Sequence, residues 1–202
     1  MADESLFDKL ESEAFRKGLV ARSREADAWF RKRAKKLGNL NMHKIIKDKR
    51  LVETSRAVIG DMVMFHYDPV MRLSLPFYDS FPLIIVVGPA QRGFYGINLH
   101  YLPPTVRAVF LDKLSSIANN SKYDETTKLK ISYQLLKSTQ KFKYFKPCFK
   151  HYLNRQVDSK KMKVEASEWN IAIFLQMDMF KKASRSKVWA DSRSKYLSLI
   201  HI

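Results

Sequence analysis

The centre of the chain contains three short runs of β-branched and aromatic residues, at 57–67, 83–87 and 94–101, and each is followed by a glycine or proline turn. Runs of this length and composition are typical of strands. Turns this tight join strands that run antiparallel. The pattern therefore predicts a small antiparallel sheet over about 57–102, which we expect to be an SH3-like barrel.

Charge is unevenly distributed along the sequence. Residues 60–115 carry four basic and four acidic side chains, whereas 16–50 carry 13 against three and 137–195 carry 15 against five. The formal net charge of the chain is +17 at pH 7. Such an excess repels itself unless a polyanion or an acidic partner neutralises it, and solubility needs only a handful of net charges. The two cationic segments therefore predict a polyanionic partner, with nucleic acid as the first choice.

The sequence argues against several other classes of protein. Cys148 is the one cysteine, which excludes an internal disulfide and a cysteine-based zinc site. No apolar run approaches the roughly 20 residues that cross a bilayer. The first residues are acidic and amphipathic, unlike a signal peptide. We expect a protein of a reducing compartment with no membrane partner and no cofactor.

The segments on either side of the expected sheet have helical spacing. Within residues 1–50, apolar side chains recur at intervals close to the helical period, which indicates a basic N-terminal helical arm. Pro104 suits the first turn of a further helix, and residues 180–196 are expected to form a final basic helix. The expected architecture is α+β, with the arm followed by one domain at 51–196 in which basic helices flank the sheet. Residues 197–202 match the translation of a sequencing-library adaptor, and we expect this tail to have no function.

The candidate DNA-binding residues lie in three basic clusters. In the first, cations spread over one side of a helix while Trp29 and Phe30 pack inward; the second alternates lysines with aromatic residues around Pro147; the third lies near the C-terminus. Lysine and arginine on such faces contact phosphates and release counterions without reading base sequence. The candidates are Arg31, Lys32, Arg33, Lys35, Lys36, Lys141, Lys143, Lys146, Lys150, Lys181, Lys182 and Arg185.

Each cluster has a simpler interpretation. The cations of the first and third clusters could equally belong to a helix face that is exposed to solvent and binds no partner. In the second, the aromatic residues either stack on the bases of a single strand or belong to the core with the lysines pointing to solvent. The sequence leaves both possibilities open.

Catalytic and metal sites find less support. No two of the five histidines are three or four residues apart, although His66 and His100 lie in expected strands and could meet across the sheet. Asp68 and Asp79 are typical of turns, and the glycine-spaced segment 88–96 lacks the Gly-Lys-Ser/Thr ending of a phosphate loop. We predict no catalytic and no metal-binding residues. The carboxylates weighed for a nuclease site are Asp61, Asp68, Asp79, Asp124 and Glu125.

Three blocks of the middle region resemble a protein family of T-even-like tailed phages: GDMVMFHYDP at 60–69, LPFYDSFPL at 75–83 and GFYGINLHYLP at 93–103. The similarity continues towards the C-terminus and covers most of the chain from Trp29 onward. The family is that of the DNA end protector, a virion protein that sits on genome termini and shields them from host exonucleases. The resemblance implies that the basic arms hold duplex DNA and that the central sheet docks on the head or neck.

Charge and resemblance together predict a phage virion protein that binds DNA non-specifically through phosphate contacts, protects genome ends and is not an enzyme. Two alternatives stay open. One is a structural virion protein of the neck or baseplate whose basic surfaces bind acidic subunits, and the other is a DNA-processing nuclease. The expected partners are phage DNA, as duplex, and other virion proteins. The expected location is the virion, and the host cytoplasm during assembly.

Overall fold

A computed structural model of the chain describes residues 5–21, 23–38, 40–118, 122, 124, 134 and 146–197. The α-helices are α1 Leu6–Arg16, α2 Arg24–Lys36, α3 Met42–Ile45, α4 Pro104–Ala118, α5 Trp169–Ala172 and α6 Arg185–Leu197. The strands are β1 Leu51–Thr54, β2 Met62–Met64, β3 Tyr78–Asp79, β4 Leu83–Ala90, β5 Gly93–Asn98, β6 Phe149–Leu153, β7 Lys161–Val164 and β8 Phe180–Lys181. Short 3-10 helices follow β5 (Leu99–Tyr101) and flank β6 (Lys146–Cys148 and Asn154–Gln156), and a fourth (Ala166–Glu168) precedes α5.

Six strands form one antiparallel sheet in the order β1-β7-β2-β4-β5-β6, and β3 pairs with β8 in a separate two-stranded ribbon. Side chains alternate between the two faces of the larger sheet, as the strand period requires. On one face Met62, Met64 and Ile85 join a large buried cluster with the helices. On the other face Val63 and Ile84 join a smaller cluster. The sheet is therefore buried on both sides at its centre.

The hairpin of β4 and β5 depends on close backbone packing against β6. A Cβ atom placed on Gly93 would lie 1.9 Å from the main-chain oxygen of Tyr152, where Gly93 pairs with Leu153 in the sheet. Only glycine allows two strands to approach this closely. Arg92, in the turn before Gly93, has a φ of 59°, and this turn sets the register of the hairpin.

The N-terminal helices share the core of the sheet. Phe7 and Leu10 of α1 and Phe30 of α2 belong to the same buried cluster as the sheet residues. A fully buried side chain of this size contributes about 1.5–3 kcal/mol relative to an exposed one. Gly18, with a φ of 68°, lies in the connection between α1 and α2. The segment predicted as a helical arm therefore contains α1, α2 and the short helix α3, with α1 packed on α2.

The mixed α and β architecture is confirmed, and so is an antiparallel sheet in the middle of the chain. The sheet is open: β1 and β6 lie at opposite edges, so the SH3-like barrel is not confirmed. It is larger than the sequence indicated. Strands β6 and β7 contain lysines that obscured the strand pattern, and β1 directly follows the basic run that ends at Arg50. The expected helix at 180–196 is also partly wrong, since Phe180–Lys181 pairs with β3 before α6 begins.

Candidate nucleic-acid interface

Helix α2 carries the densest basic cluster of the chain. It begins after Ser23, whose hydroxyl accepts a hydrogen bond from the Ala26 N–H at 3.0 Å, and its acidic first turn and basic last turn match the helix dipole. Ala26, Phe30 and Ala34 are buried at intervals of four residues, which fixes the rotation of the helix. The side away from the core exposes the cations Arg31, Lys32, Lys35 and Lys36.

Arg33, the fifth predicted cation of this helix, has a structural role. Its Nε donates to Oε2 of Glu13 in α1 at 2.6 Å, and its Nη2 donates to Oε1 of the same carboxylate at 2.9 Å. This hydrogen-bonded pairing holds the pKa of Glu13 below its ordinary value. A bidentate pair of this kind fixes the orientation of both partners. Arg33 therefore joins α1 to α2, and its charge is compensated within the chain.

The four exposed cations of α2 form two pairs, each spaced by one helical turn. Lys32 and Lys36 line a cavity of about 410 Å³ beside α1. Arg31 and Lys35 line another cavity, of about 520 Å³, on a different side of the helix. The same helix thus supplies positive charge to two concave surfaces. The remaining residues that line the first cavity are Glu13, Lys17, Trp29 and Arg33.

The 520 Å³ cavity lies where α2, the start of α4, the segment after α5 and α6 meet, and we refer to it as the junction cavity. It brings Arg31 and Lys35 of the first predicted cluster together with Arg185 of the third. Four cations and one carboxylate line it, so its charge is strongly positive. The charged residues of the junction cavity are Arg31, Lys35, Arg107, Arg185 and Asp178.

Arg107 is 2% exposed and is held by main-chain carbonyls rather than by a carboxylate. Its Nε donates to Leu102 at 2.8 Å, its Nη1 to Ile173 at 3.0 Å and its Nη2 to His100 at 3.3 Å. Burial lowers the pKa of Arg107 to about 10, so the guanidinium remains charged at neutral pH. It places a fixed positive charge in the wall of the junction cavity.

Arg185 is fixed by two side chains from the segment after α5. Its Nε donates to Oδ2 of Asp178 at 2.6 Å, and its Nη1 donates to Oε1 of Gln176 at 2.7 Å. The guanidinium carbons of Arg107 and Arg185 each lie 5.9 Å from the ring centre of Trp189. The indole Nε1 of Trp189 donates at 2.9 Å to the main-chain carbonyl of His100, which also accepts a hydrogen bond from Arg107. These contacts hold the two arginines in one arrangement.

Sequence reasoning missed Arg107 and Trp189. Arg107 lies four residues before Leu111 and seven before Leu114, on the buried stripe of α4. A buried cation needs specific hydrogen-bond partners. The position of Arg107 on an otherwise apolar stripe was therefore the feature of the sequence that could have identified it. Trp189 lies one helical turn after Arg185, but only the fold shows that this turn faces α4.

The predicted cations of the second and third clusters have separate surroundings. Lys150 Nζ lies 4.4 Å from the ring centre of Tyr101, and Lys181 is exposed in β8. Lys182 donates from Nζ to the carbonyls of Leu73 at 2.8 Å and Leu75 at 3.0 Å, so it holds a loop. Lys141 and Lys143 lie outside the described residues, and of Lys146 only the backbone is described, in a 3-10 helix.

The aromatic residues of the second cluster that the structure describes favour the core interpretation. Tyr152 is 3% exposed and belongs to the smaller buried cluster. Phe149 is half-buried and stacks on Tyr95 with ring centres 5.3 Å apart. Burial leaves no face of the Tyr152 ring for a nucleic-acid base.

Two of the candidate nuclease carboxylates form ion pairs with basic side chains, and Glu125 lies outside the described residues. Asp61 pairs with Lys163 at 3.3 Å, and Asp68 pairs with Arg72 at 2.7 Å. Within the ranges that the structure describes, no three His, Cys, Asp or Glu side chains are grouped so as to hold a metal ion. Asp79, in contrast, is buried.

Asp79 and His100 form a buried pair, with 2.6 Å between Oδ2 and Nδ1. Oδ1 of Asp79 accepts from the N–H groups of Phe81 at 3.0 Å and Met179 at 3.1 Å. Burial opposes ionisation of Asp79, but His100 and the N–H donors outweigh it and lower its pKa. His100 thus meets Asp79, whereas the ring of His66 lies against Phe81. The pair is closed to solvent and positions the His100 carbonyl that Arg107 contacts.

The fold and these cavities define a protein of mixed α and β structure, with an antiparallel sheet and concave, cation-lined surfaces suited to a polyanion. A family model described as the Phage T4 terminal DNA protecting protein matches residues 9–193. The chain therefore belongs to this family of bacteriophage proteins that protect DNA ends, and the resemblance seen in the sequence is confirmed. The comparisons with curated proteins and with solved structures gave no match. A helix long and apolar enough to cross a membrane is not found among the described residues.

Proposed function

We propose that this protein is a virion component that binds duplex phage DNA through phosphate contacts, without base specificity and without catalysis, and thereby shields the genome ends. Membership in the terminal DNA protecting family supports DNA as the partner. Contacts to phosphates give affinity for any sequence, because every sequence carries the same backbone. The protein acts stoichiometrically, by covering the end that an exonuclease must reach.

The observation that carries the proposal is the exposed cationic side of α2. Four of its cations are exposed, namely Arg31, Lys32, Lys35 and Lys36. The fifth, Arg33, forms a salt bridge with Glu13. Within the part of the chain that the structure describes, no hydrogen bond or salt bridge involves the charged ends of these four side chains, and Arg31 acts only at longer range on the carboxylate of Asp27. Their charge is therefore available to neutralise phosphates and release the counterions bound to them.

The experiment compares matched linear and circular duplex DNA of the same sequence. Binding is measured at near-physiological salt, and the complexes are then challenged with an exonuclease. Preferential binding of the linear form with protected termini is the expected result. Equal binding of both forms without protection would contradict end protection, and the absence of binding to either would contradict a DNA-binding role.

One observation favours a second function, docking on another virion protein. The loop between β2 and β3 exposes Val70, Met71 and Leu73 by 54%, 65% and 88%, and Lys182 holds this loop in place. Exposed apolar side chains that lie together are typical of protein interfaces. Replacing Met71 and Leu73 by Asp is expected to reduce incorporation into phage particles while DNA binding by the purified protein is retained.

A further inference from the structure

The junction cavity differs from the rest of the basic surface because it is concave and its cations are held in place. Arg107 is fixed by three carbonyls and Arg185 by Asp178 and Gln176. Binding therefore costs little side-chain ordering at these two positions. Its volume of about 520 Å³ lies in the range of concave sites that accept a small ligand group.

The charge of the cavity selects an anion with more than one negative charge. Four cations and one carboxylate line it, which leaves an excess of three positive charges. Asp178 accepts a hydrogen bond from Arg185 and also favours the charged form of Arg107, and the lining as a whole remains positive. An internal phosphate diester carries a single charge, whereas a terminal monoester carries about −1.5 to −2 and three acceptor oxygens. The terminal monoester therefore matches the positive charge of the cavity better than an internal diester does.

The position of the cavity connects it with the proposed DNA surface. Arg31 and Lys35 at its rim are exposed, and they lie on the same helix as Lys32 and Lys36. The N-terminus of α4 adds to the positive potential, since Pro104 and Thr105 line the cavity. DNA that lies along the exposed side of α2 would bring its terminus next to this cavity.

We propose that the junction cavity binds the terminal phosphate of a DNA end. Arg31 and Lys35 contact the phosphate at the rim, Arg185 contacts it within the cavity, and Arg107 supplies fixed positive charge in the wall. The inference rests on the proposed function and adds the chemical group by which an end is distinguished from the interior of a duplex. Internal phosphates of an unbroken duplex contact the exposed cations of α2, including Lys32 and Lys36 outside the junction cavity, but do not enter the cavity.

The test uses blunt duplexes of one sequence that carry a 5′-phosphate, a 3′-phosphate or only hydroxyl groups at their ends, together with a circular duplex. Two variants are compared, Arg31→Gln/Lys35→Gln and Lys32→Gln/Lys36→Gln, which remove the same charge from different sides of one helix. All four positions are exposed, so both variants are expected to fold, and circular dichroism checks this.

The unmodified protein is expected to bind one of the phosphorylated duplexes about tenfold or more tightly than the hydroxyl duplex, since a charge-assisted hydrogen bond contributes this much. The Arg31→Gln/Lys35→Gln variant is expected to lose this ratio. The Lys32→Gln/Lys36→Gln variant is expected to bind all duplexes more weakly and to keep the ratio. Which phosphorylated duplex is preferred identifies the strand end that is bound.

Equal affinity of the unmodified protein for phosphorylated and hydroxyl ends would overturn the inference. The same conclusion would follow if both variants lost the ratio to the same extent, because the effect would then reflect overall charge. Preference for linear over circular DNA without any phosphate dependence would remove the inference and leave the proposed function standing. Failure to bind any duplex would remove both.

Discussion

Neutralising the exposed side of α2 is expected to change the salt dependence of DNA binding, not only its strength. In the variant Arg31→Gln/Lys32→Gln/Lys35→Gln/Lys36→Gln, four exposed cations are lost while the helix keeps its buried side and Arg33 keeps its pair with Glu13. Glutamine has a helix propensity close to that of lysine and arginine. The fold should therefore be retained, and any change in affinity should come from charge.

The magnitude follows from counterion release. Each phosphate contact contributes about −0.9 to the slope of log K against log salt, so the loss of four contacts makes the slope less steep by roughly 3–4. Between about 50 and 200 mM salt, the affinity difference between the two proteins should shrink by roughly 100-fold. Fluorescence anisotropy with a labelled duplex over this range measures both slopes.

A control variant tests whether position matters as well as charge. Lys47, Arg56, Arg92 and Arg155 are exposed cations elsewhere on the molecule, and replacing all four by Gln removes the same total charge. This variant is expected to keep a slope close to that of the unmodified protein. Equal slopes for the two variants would refute the reasoning, because α2 would then contribute no more than any other part of a basic chain.

Three further predictions concern the fold that supports the site. Asp79→Asn should lower the free energy of unfolding by about 3 kcal/mol in urea titrations at pH 7, since it breaks the buried pair with His100. Because the pKa of Asp79 is lowered in the folded protein, the stability that Asp79 contributes should be present above roughly pH 4 and lost on acidification. A stability difference between the two proteins that does not change with pH would contradict this. Gly93→Ala should prevent β6 from pairing at Tyr152, where its Cβ would lie 1.9 Å from a carbonyl oxygen; unchanged thermal stability would show that assignment to be wrong. Cys148 is buried and its pKa is raised to about 12, so a thiol reagent should label it only in denaturant, and rapid labelling of the native protein would contradict its placement.

The strands that could be predicted are those that consist almost entirely of apolar and aromatic residues. Residues 83–87 are apolar and are followed by Gly88, residues 94–98 are largely apolar or aromatic and are preceded by Gly93, and both segments fall in strands of the sheet. Strand β7 reads Lys-Met-Lys-Val, and its alternation was obscured by the basic residues around it. The helix at Pro104 was predicted because proline at a first turn and an apolar stripe agree there.

The candidate site was predictable only in part. The exposed cations of α2 follow from helical spacing, since Phe30 and Ala34 set which side faces the core. In the sequence Arg33 looks like the other cations of α2, and only the placement of Glu13 on α1 shows that its charge is already paired with a carboxylate. Lys182 similarly looks like a phosphate contact in the sequence, but its Nζ is bound to two carbonyls.

The sequence by itself determined the class of partner and the family. Net charge, its segregation and the blocks at 60–69, 75–83 and 93–103 are properties of the linear chain, and folding cannot change the sign of the charge. Tertiary structure alone decided which cations share a cavity. Arg31, Arg107 and Arg185 are separated by more than 70 residues along the chain, yet they line one concave surface. Their proximity comes from the packing of α2, α4 and α6 around the sheet, because burial of apolar side chains from distant segments sets those positions and no local pattern records them.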